Sequence, residues 1–211
     1  MSSDENEDQV DSSIPVLDFR LKDGVFIITN PNAKEIYENG YFGRWINETT
    51  LSLEAEEILL LLDRKKISIQ DPNTKENLGS ADIVNYFSND TNDLWSRYLV
   101  YKDLRNRGYV VSMGTQVTAP FRIYSRGGKP GESVSKFVVF PLPEGENIDL
   151  DFLDQIVKQA NLDRKKLLLS VIDRLGDVTY YQVSQLNLEF NELEYEYHQD
   201  LEAQREKNGE S

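Results

Sequence analysis

The stretch "YLVYKDLRNRGYVV", residues 98–111, decides the fold of the second half of the chain, because its pattern changes from helix to strand. A helix that begins near Asp93 is predicted to end at Arg107, since glycine, here Gly108, commonly follows a helix end. The next segments are short, β-rich and separated by Gly, Pro and Ser, namely "YVVSMG", "PFRIYS" and "KFVVFPL". A helix, "LDFLDQIVKQANL", and two further strands, "KKLLLSVID" and "VTYYQVSQL", complete an α/β module with a mixed sheet flanked by helices.

A smaller mixed domain is predicted before this module. The segment "IPVLDFRLKDGVFIITN" indicates two short strands around the turn signal Asp23-Gly24, and "NAKEIYENG" indicates a short helix. In "TLSLEAEEILLLLDRKKISI" we expect a helix with Thr50 or Ser52 as its N-cap and a leucine-rich face. The fold class is therefore α/β (α+β), with an acidic disordered arm (1–13), an N-terminal domain (14–88), a C-terminal domain (93–188) and an acidic charged tail (189–211).

Composition excludes several classes of protein. No stretch reaches the roughly 20 apolar residues of a membrane span, and the acidic start lacks the features of a signal peptide, so we expect a cytoplasmic protein. The sequence has no cysteine and a single histidine, His198, which excludes a thiolate zinc site and a histidine-rich metal site. We therefore expect no metal and no cofactor.

The net charge of -14 conceals a basic region. Residues 1–13 hold five acids and no base, and residues 189–211 hold eight acids and two bases, so the two ends carry -11 of the total. Residues 97–136 instead hold two acids and eight bases, namely Arg97, Lys102, Arg105, Arg107, Arg122, Arg126, Lys129 and Lys136. This local charge of +6, interleaved with tyrosines, favours contact with RNA over a merely solvated face.

The order of these motifs resembles the archaeal tRNA-splicing endonuclease family. "YLVYKDLRNRGYVV", "FRIY", "RKKLLLSVID" and "GDVTYY" are similar to its nuclease domain, and "GYFGRWINETTLSLEAEEILLLLDRKKI" is similar to its N-terminal domain. The resemblance spans about residues 15–188 and rests on several ordered motifs. It implies cleavage of precursor tRNA at a bulge-helix-bulge without metal, which leaves a 2′,3′-cyclic phosphate and a 5′-hydroxyl.

The resemblance also implies a site built from histidine, tyrosine and lysine, which act as base, acid and cation on the phosphate. The tyrosine position is Tyr124 in "FRIY", and the lysine position is Lys165 in "RKKLL". The histidine position falls ten residues after the tyrosine, where "GESVSKF" has Val134. Valine cannot transfer a proton, so the resemblance is to the structural subunit of a heterotetrameric enzyme.

The remaining expectations concern RNA and subunit contacts. The acidic turn "DRLGD" matches the loop that family members insert into a basic pocket of a neighbouring subunit, which implies interface roles for Asp173, Gly176 and Asp177. The residues expected to contact RNA are Arg122, Arg126, Lys129, Lys158 and Arg164. Three hypotheses stay open at this point: a structural subunit that needs a catalytic partner, a homo-oligomeric enzyme with an atypical active site, and a non-cleaving RNA-binding or assembly protein.

Overall fold

The computed structural model describes residues 14–186 except 19–20, 23–24, 30, 72, 88–92 and 117–118. The predicted arm, the predicted tail with His198, and the predicted linker near 88–92 lie outside the described residues. None of the helices in the described part of the chain has the length and apolarity that crossing a bilayer requires.

The described residues of the N-terminal half form two small sheets and three helices. A four-stranded antiparallel sheet has the order β2-β3-β5-β4, and a three-stranded sheet has the order β1-β6-β7 with β1 and β6 parallel. The strands are β1 (Val16–Asp18), β2 (Leu21–Lys22), β3 (Val25–Thr29), β4 (Arg44–Asn47), β5 (Thr50–Leu53), β6 (Ser68–Gln70) and β7 (Asn77–Leu78). The helices are α1 (Asn32–Glu38), α2 (Ala55–Asp63) and α3 (Ser80–Phe87).

The predicted start of α2 was wrong. Thr50 and Ser52 do not cap the helix but belong to β5, which pairs with β3 on one side and β4 on the other. Glu54 is the N-cap residue, and its backbone N–H donates a hydrogen bond to the Glu57 side chain at 3.0 Å. Thr50 and Ser52 therefore belong to a strand, because backbone pairing of β5 with both β3 and β4 outweighs the preference of Thr and Ser for helix caps.

The C-terminal half is a five-stranded mixed sheet between two helices, which confirms the predicted fold class. The strand order is β12-β11-β10-β9-β8, and only β10 and β11 are parallel among these neighbours. The elements are α4 (Leu94–Asn106), β8 (Val110–Gln116), β9 (Ala119–Tyr124), β10 (Phe137–Pro143), α5 (Leu150–Leu162), β11 (Lys166–Ile172) and β12 (Val178–Val183). Gly108 follows α4 with a φ of 85°, as expected for a glycine that ends a helix.

The two halves share one hydrophobic core. Buried side chains of α2, such as Leu59, belong to the same cluster as Tyr101 of α4 and Phe121 of β9. A second cluster packs α5 against the opposite side of the sheet, around Val138 and Leu167. Because one core spans both halves, the boundaries 14–88 and 93–188 stay predictions.

Candidate functional site

Strand register brings Tyr124 and Lys165 to the same end of the sheet. Phe137 of β10 is aligned with Ile123 of β9 and with Lys166 of β11. One residue further out, the backbone of Lys136 therefore lies between Tyr124 and Lys165. Its amide donates a hydrogen bond to Ile123 O at 3.1 Å, and its carbonyl oxygen accepts one from the Lys166 amide at 3.0 Å. Two strand spacings place the two backbones about 10 Å apart. The sequence-predicted pair is thus assembled from residues that are 41 positions apart in the chain.

The lysine lies in the connection between α5 and β11, one residue before the strand rather than as its first residue. The Lys165 amide donates to Ala160 O at 2.8 Å, and the Arg164 amide donates to Asn161 O at 2.9 Å. This is the Schellman arrangement, and it forces Arg164 into a left-handed conformation with a φ of 54°. The half-buried Lys165 ammonium donates to Asp163 O at 3.2 Å, which fixes its position above the helix end.

Arg164→Gly is expected to stabilise the fold while it weakens RNA binding. Glycine adopts the left-handed conformation without strain, so the free energy of unfolding should rise by up to about 1 kcal/mol. Loss of the exposed guanidinium should at the same time lower the affinity for RNA. Thermal unfolding and RNA titration of the same variant measure the two effects.

Lys65→Gly is the matched control. Lys65 occupies the same left-handed position after α2, with a φ of 52° and the same pair of backbone hydrogen bonds. This variant should gain the same stability and keep its affinity for RNA. An Arg164→Gly variant with unchanged affinity would remove Arg164 from the RNA-contacting residues.

Val134 lies at the same end of the sheet, in the segment that leads into β10. Its side chain is 82% exposed, whereas the next residue, Ser135, is buried. No histidine occurs in the part of the chain that the structure describes, and the only one in the sequence is His198. The described residues near Tyr124 and Lys165 therefore offer no imidazole.

At least four of the eight basic residues in 97–136 pair with protein groups, so fewer cations are available to RNA than the local charge of +6 suggests. Arg97 pairs with the buried carboxylate of Glu56, and Lys102 pairs with Asp63 at 3.0 Å. Arg105 and Arg107 also contact protein groups, as described below. Arg97, Lys102 and Arg105 lie on α4 and hold it against neighbouring elements. Arg107 follows the helix and pairs with Asp103 of α4 itself.

The other predicted RNA contacts are at or near the end that holds Tyr124. Arg126 and Lys129 are exposed in the loop after β9, where the Arg126 guanidinium lies 5.4 Å from the centre of the Tyr109 ring. Arg122 is a half-buried residue of β9. Lys158 is exposed on α5, and its ammonium pairs with Asp154, which lowers the pKa of that carboxyl.

The acidic turn 173–177 lies at the opposite end of the sheet. Oδ1 of Asp173 accepts hydrogen bonds from the amides of Leu175 and Asp177, at 2.8 and 2.9 Å, so this carboxylate builds the turn itself. The Asp177 carboxylate is exposed, and Gly176 completes the turn. At the tip, Leu175 is 88% exposed. The turn therefore presents the exposed side chains of Arg174, Leu175 and Asp177.

Strand β12 forms an edge of the five-stranded sheet. Among the described strands it pairs with β11 only, and its side chains alternate between half-buried and exposed up to Tyr181, which is 54% exposed. On the inner side, the Tyr180 hydroxyl donates to Asp103 at 2.7 Å, and Arg107 donates to the same carboxylate oxygen at 2.7 Å. Burial and the Asp103 charge raise the pKa of Tyr180. This network fixes the edge strand to α4.

A cleft of about 540 Å³ lies between the N-terminal sheet and strands β8 and β9, and it reaches Tyr124. We call it the aromatic cleft, because its lining includes Tyr37, Tyr41, Trp45 and Tyr124, together with Arg44, Arg122, Glu54 and Glu57. Among these residues, only Tyr124 and Arg122 were predicted from the sequence as site residues. The available signal was the short run of aromatic residues and glycine, "GYFGRW", at positions 40–45.

Two buried ionic side chains hold the loop 40–43 at the cleft. The Gly43 amide donates to Glu57 Oε1 at 2.8 Å, and burial raises the pKa of Glu57 to about 7. A side chain at Gly43 would collide with Ser52 O at 2.6 Å, and its φ is 78°. On the other side, Arg105 donates to Gly40 O at 2.6 Å and stacks on the Phe42 ring at 4.1 Å. The loop is thus fixed from both halves of the chain.

Comparison with known proteins agrees with this architecture. Residues 17–82 match the family model of the tRNA intron endonuclease N-terminal domain, and residues 94–180 match that of its catalytic C-terminal domain. The chain is similar to the tRNA-splicing endonuclease of Methanothermobacter thermautotrophicus, at 34% identity over 72% of this chain and 86% of the relative. Similar enzymes of Thermococcus kodakarensis and Methanococcus maripaludis are 34% and 32% identical, over 76% and 79% of this chain and 92% and 88% of theirs. Since the two family models together cover most of its length, this chain belongs to the tRNA intron endonuclease family.

Proposed function

We propose that this chain is the structural subunit of a heterotetrameric tRNA-splicing endonuclease, in which a second, catalytic subunit cuts the RNA. The observation that carries the proposal is Val134, which stands where the resemblance places the catalytic histidine. Tyr124 and Lys165 remain together at one end of the sheet, so the scaffold of the site is present without its base. The complex acts in the cytoplasm on precursor tRNA with a bulge-helix-bulge.

In this proposal the basic loop after β9 holds the RNA backbone. We call Tyr124, Lys165 and position 134 the ancestral site. Arg122, Arg126 and Lys129 are close in sequence to Tyr124, and Arg164 precedes Lys165, so four cations are near this site along the chain. Phosphate contacts position an RNA without reading its sequence. A subunit that has lost cleavage can therefore still align the substrate for its partner.

Arg122→Ala and Arg126→Ala are expected to lower the salt dependence of RNA binding by the complex. Each phosphate contact that is lost should reduce the slope of log affinity against log salt by roughly 0.7–0.9. Lys34→Ala removes an exposed cation of α1, 68% exposed, and should leave the slope unchanged. Equal slopes for all three variants and the unaltered chain would assign Arg122 and Arg126 to an ordinary solvated surface.

Subunit contacts are proposed for the acidic turn and for β12. The exposed carboxylate of Asp177 suits a basic pocket, because complementary charge determines which subunits meet. Unpaired backbone groups of an edge strand favour pairing with another chain, so β12 is the proposed contact between subunits.

Co-purification tests the proposal directly. The tagged chain, isolated from the cells that encode it, should bring with it a second endonuclease-family subunit that has the histidine. Isolation of the chain with copies of itself alone would favour a homo-oligomeric enzyme with an atypical site. Isolation with RNA but no second subunit would favour a non-cleaving RNA-binding protein.

A further inference from the structure

The aromatic cleft contains a cluster of three rings outside the residues of the ancestral site. Tyr37 meets Tyr41 edge to face, with ring centres 5.7 Å apart, and meets Trp45 at 5.5 Å with a tilt of 58°. All three rings are half-buried, so they pack on the core and also border the cleft. Flat aromatic surfaces beside an open volume are the usual platform for a stacked nucleobase.

Tyr41 is held in a strained conformation at this platform. Its φ of 55° is in the left-handed region, which a bulky residue seldom adopts. The strain persists because Glu57 and Arg105 fix the loop at Gly43 and Gly40, on either side of Tyr41. Strain of this kind concentrates at ligand clamps and active sites.

The charges in the cleft favour a nucleotide over an acidic peptide. Arg44 and Arg122 supply two guanidinium groups for phosphate, and Glu54 adds a half-buried carboxylate to the lining. A carboxylate accepts hydrogen bonds from the N–H groups of a base edge, as it does from cytosine N4. An acidic side chain offers this carboxylate no donor, whereas a base edge does, so the lining suits a base at Glu54 together with a phosphate at the two guanidinium groups.

We propose that the aromatic cleft binds one unpaired nucleotide of RNA, with the base on Tyr41 and Trp45 and the phosphate at Arg44 and Arg122. The cleft reaches Tyr124, so the nucleotide would lie next to the ancestral site. Only the identification of the RNA as a tRNA precursor rests on the proposed function. The site gives this subunit a means to hold unpaired RNA without cutting it.

Fluorescence of a labelled RNA tests the proposal on the full-length chain. The probe is a hairpin RNA with one bulge that contains a single 2-aminopurine, whose emission falls when the base stacks on an aromatic ring. The unaltered chain should quench the probe. Trp45→Leu and Tyr41→Asn should weaken binding by about 5- to 150-fold, the range for loss of one stacking contact. Asparagine is chosen at 41 because it tolerates the left-handed conformation.

Trp95→Leu is the matched control, since Trp95 is the second of the two tryptophans and is 52% exposed on α4, away from the cleft. Its affinity should equal that of the unaltered chain. Thermal midpoints of all variants are measured to exclude unfolding as the cause of weaker RNA binding. If Tyr41→Asn unfolds, Trp45→Leu and Arg44→Ala are the variants that test the proposal.

Three results would overturn the proposal: no quenching by the unaltered chain, equal affinity of Trp45→Leu and Trp95→Leu, or equal binding of a fully paired hairpin. A Trp45→Leu variant that binds RNA normally but no longer joins the catalytic subunit would make the cleft a protein interface and also overturn it. Failure of the chain to find any catalytic subunit would refute the proposed function alone, because the quenching assay uses the single chain.

Discussion

Purified alone, this chain is expected to leave a bulge-helix-bulge RNA intact, and cleavage is expected to appear when a histidine-bearing catalytic subunit is added. The reason is chemical: Val134 has no proton to exchange, and no imidazole is present in the described residues near Tyr124. General acid–base transfer contributes typically 10²–10⁴-fold to a rate. The measurement is gel analysis of RNA cut in the presence of a chelator, for the lone chain and for the mixture.

Within the active complex, Tyr124→Phe and Lys165→Ala in this chain should leave the cleavage rate within about threefold. The equivalent substitutions in the catalytic subunit should cost on the order of a hundredfold or more, as loss of a working electrostatic group does. The paired comparison controls for damage to folding, because both subunits share the architecture. Metal-free cleavage by the lone chain that Tyr124→Phe abolishes would show that this site cuts, and a hundredfold loss in the complex would show the same.

Much of the five-stranded sheet of the C-terminal half was predictable because local signals agree with the tertiary structure. Gly108 ends α4 as its position suggests, and in β9 the alternation of buried Phe121 and Ile123 with half-buried Arg122 and Tyr124 has the period of a strand. The prediction of where α2 begins was wrong because the local signal and the tertiary structure disagree there. Ser52 has the chemistry of a cap but hydrogen-bonds in a sheet, and the sequence contains no sign of which segment will pair with it.

The candidate site was predictable in part. Motif order indicated Tyr124 and Lys165, whereas their adjacency depends on the register of three strands, which residue types do not determine. The basic stretch shows a further limit, since charge counts do not reveal what a cation faces. Arg97 and Arg105 are fixed inside the protein, so two of the eight basic residues have a structural role.

Asp177→Lys is expected to prevent assembly with the catalytic subunit while the isolated chain keeps its thermal midpoint. The Asp177 carboxylate is exposed, and the turn is closed by hydrogen bonds that do not involve it. Loss of one member of an interfacial charge pair typically costs about 2–5 kcal/mol, much of it from the partner charge left unpaired. The dissociation constant should therefore rise by roughly thirtyfold to several-thousandfold. Sizing chromatography of the mixed subunits measures the change.

Asp173 is the wrong residue for this test, even though the sequence shows it as the second acid of the same turn. Its carboxylate accepts the amides of Leu175 and Asp177, so any substitution would disturb the turn and lower assembly for a reason unrelated to charge. Glu38→Lys serves as the control, because Glu38 is an acid of α1 that is 63% exposed. If Asp177→Lys and Glu38→Lys both form complexes of normal size and activity, the acidic turn is ordinary surface, and the proposal of a structural subunit then depends on Val134 alone.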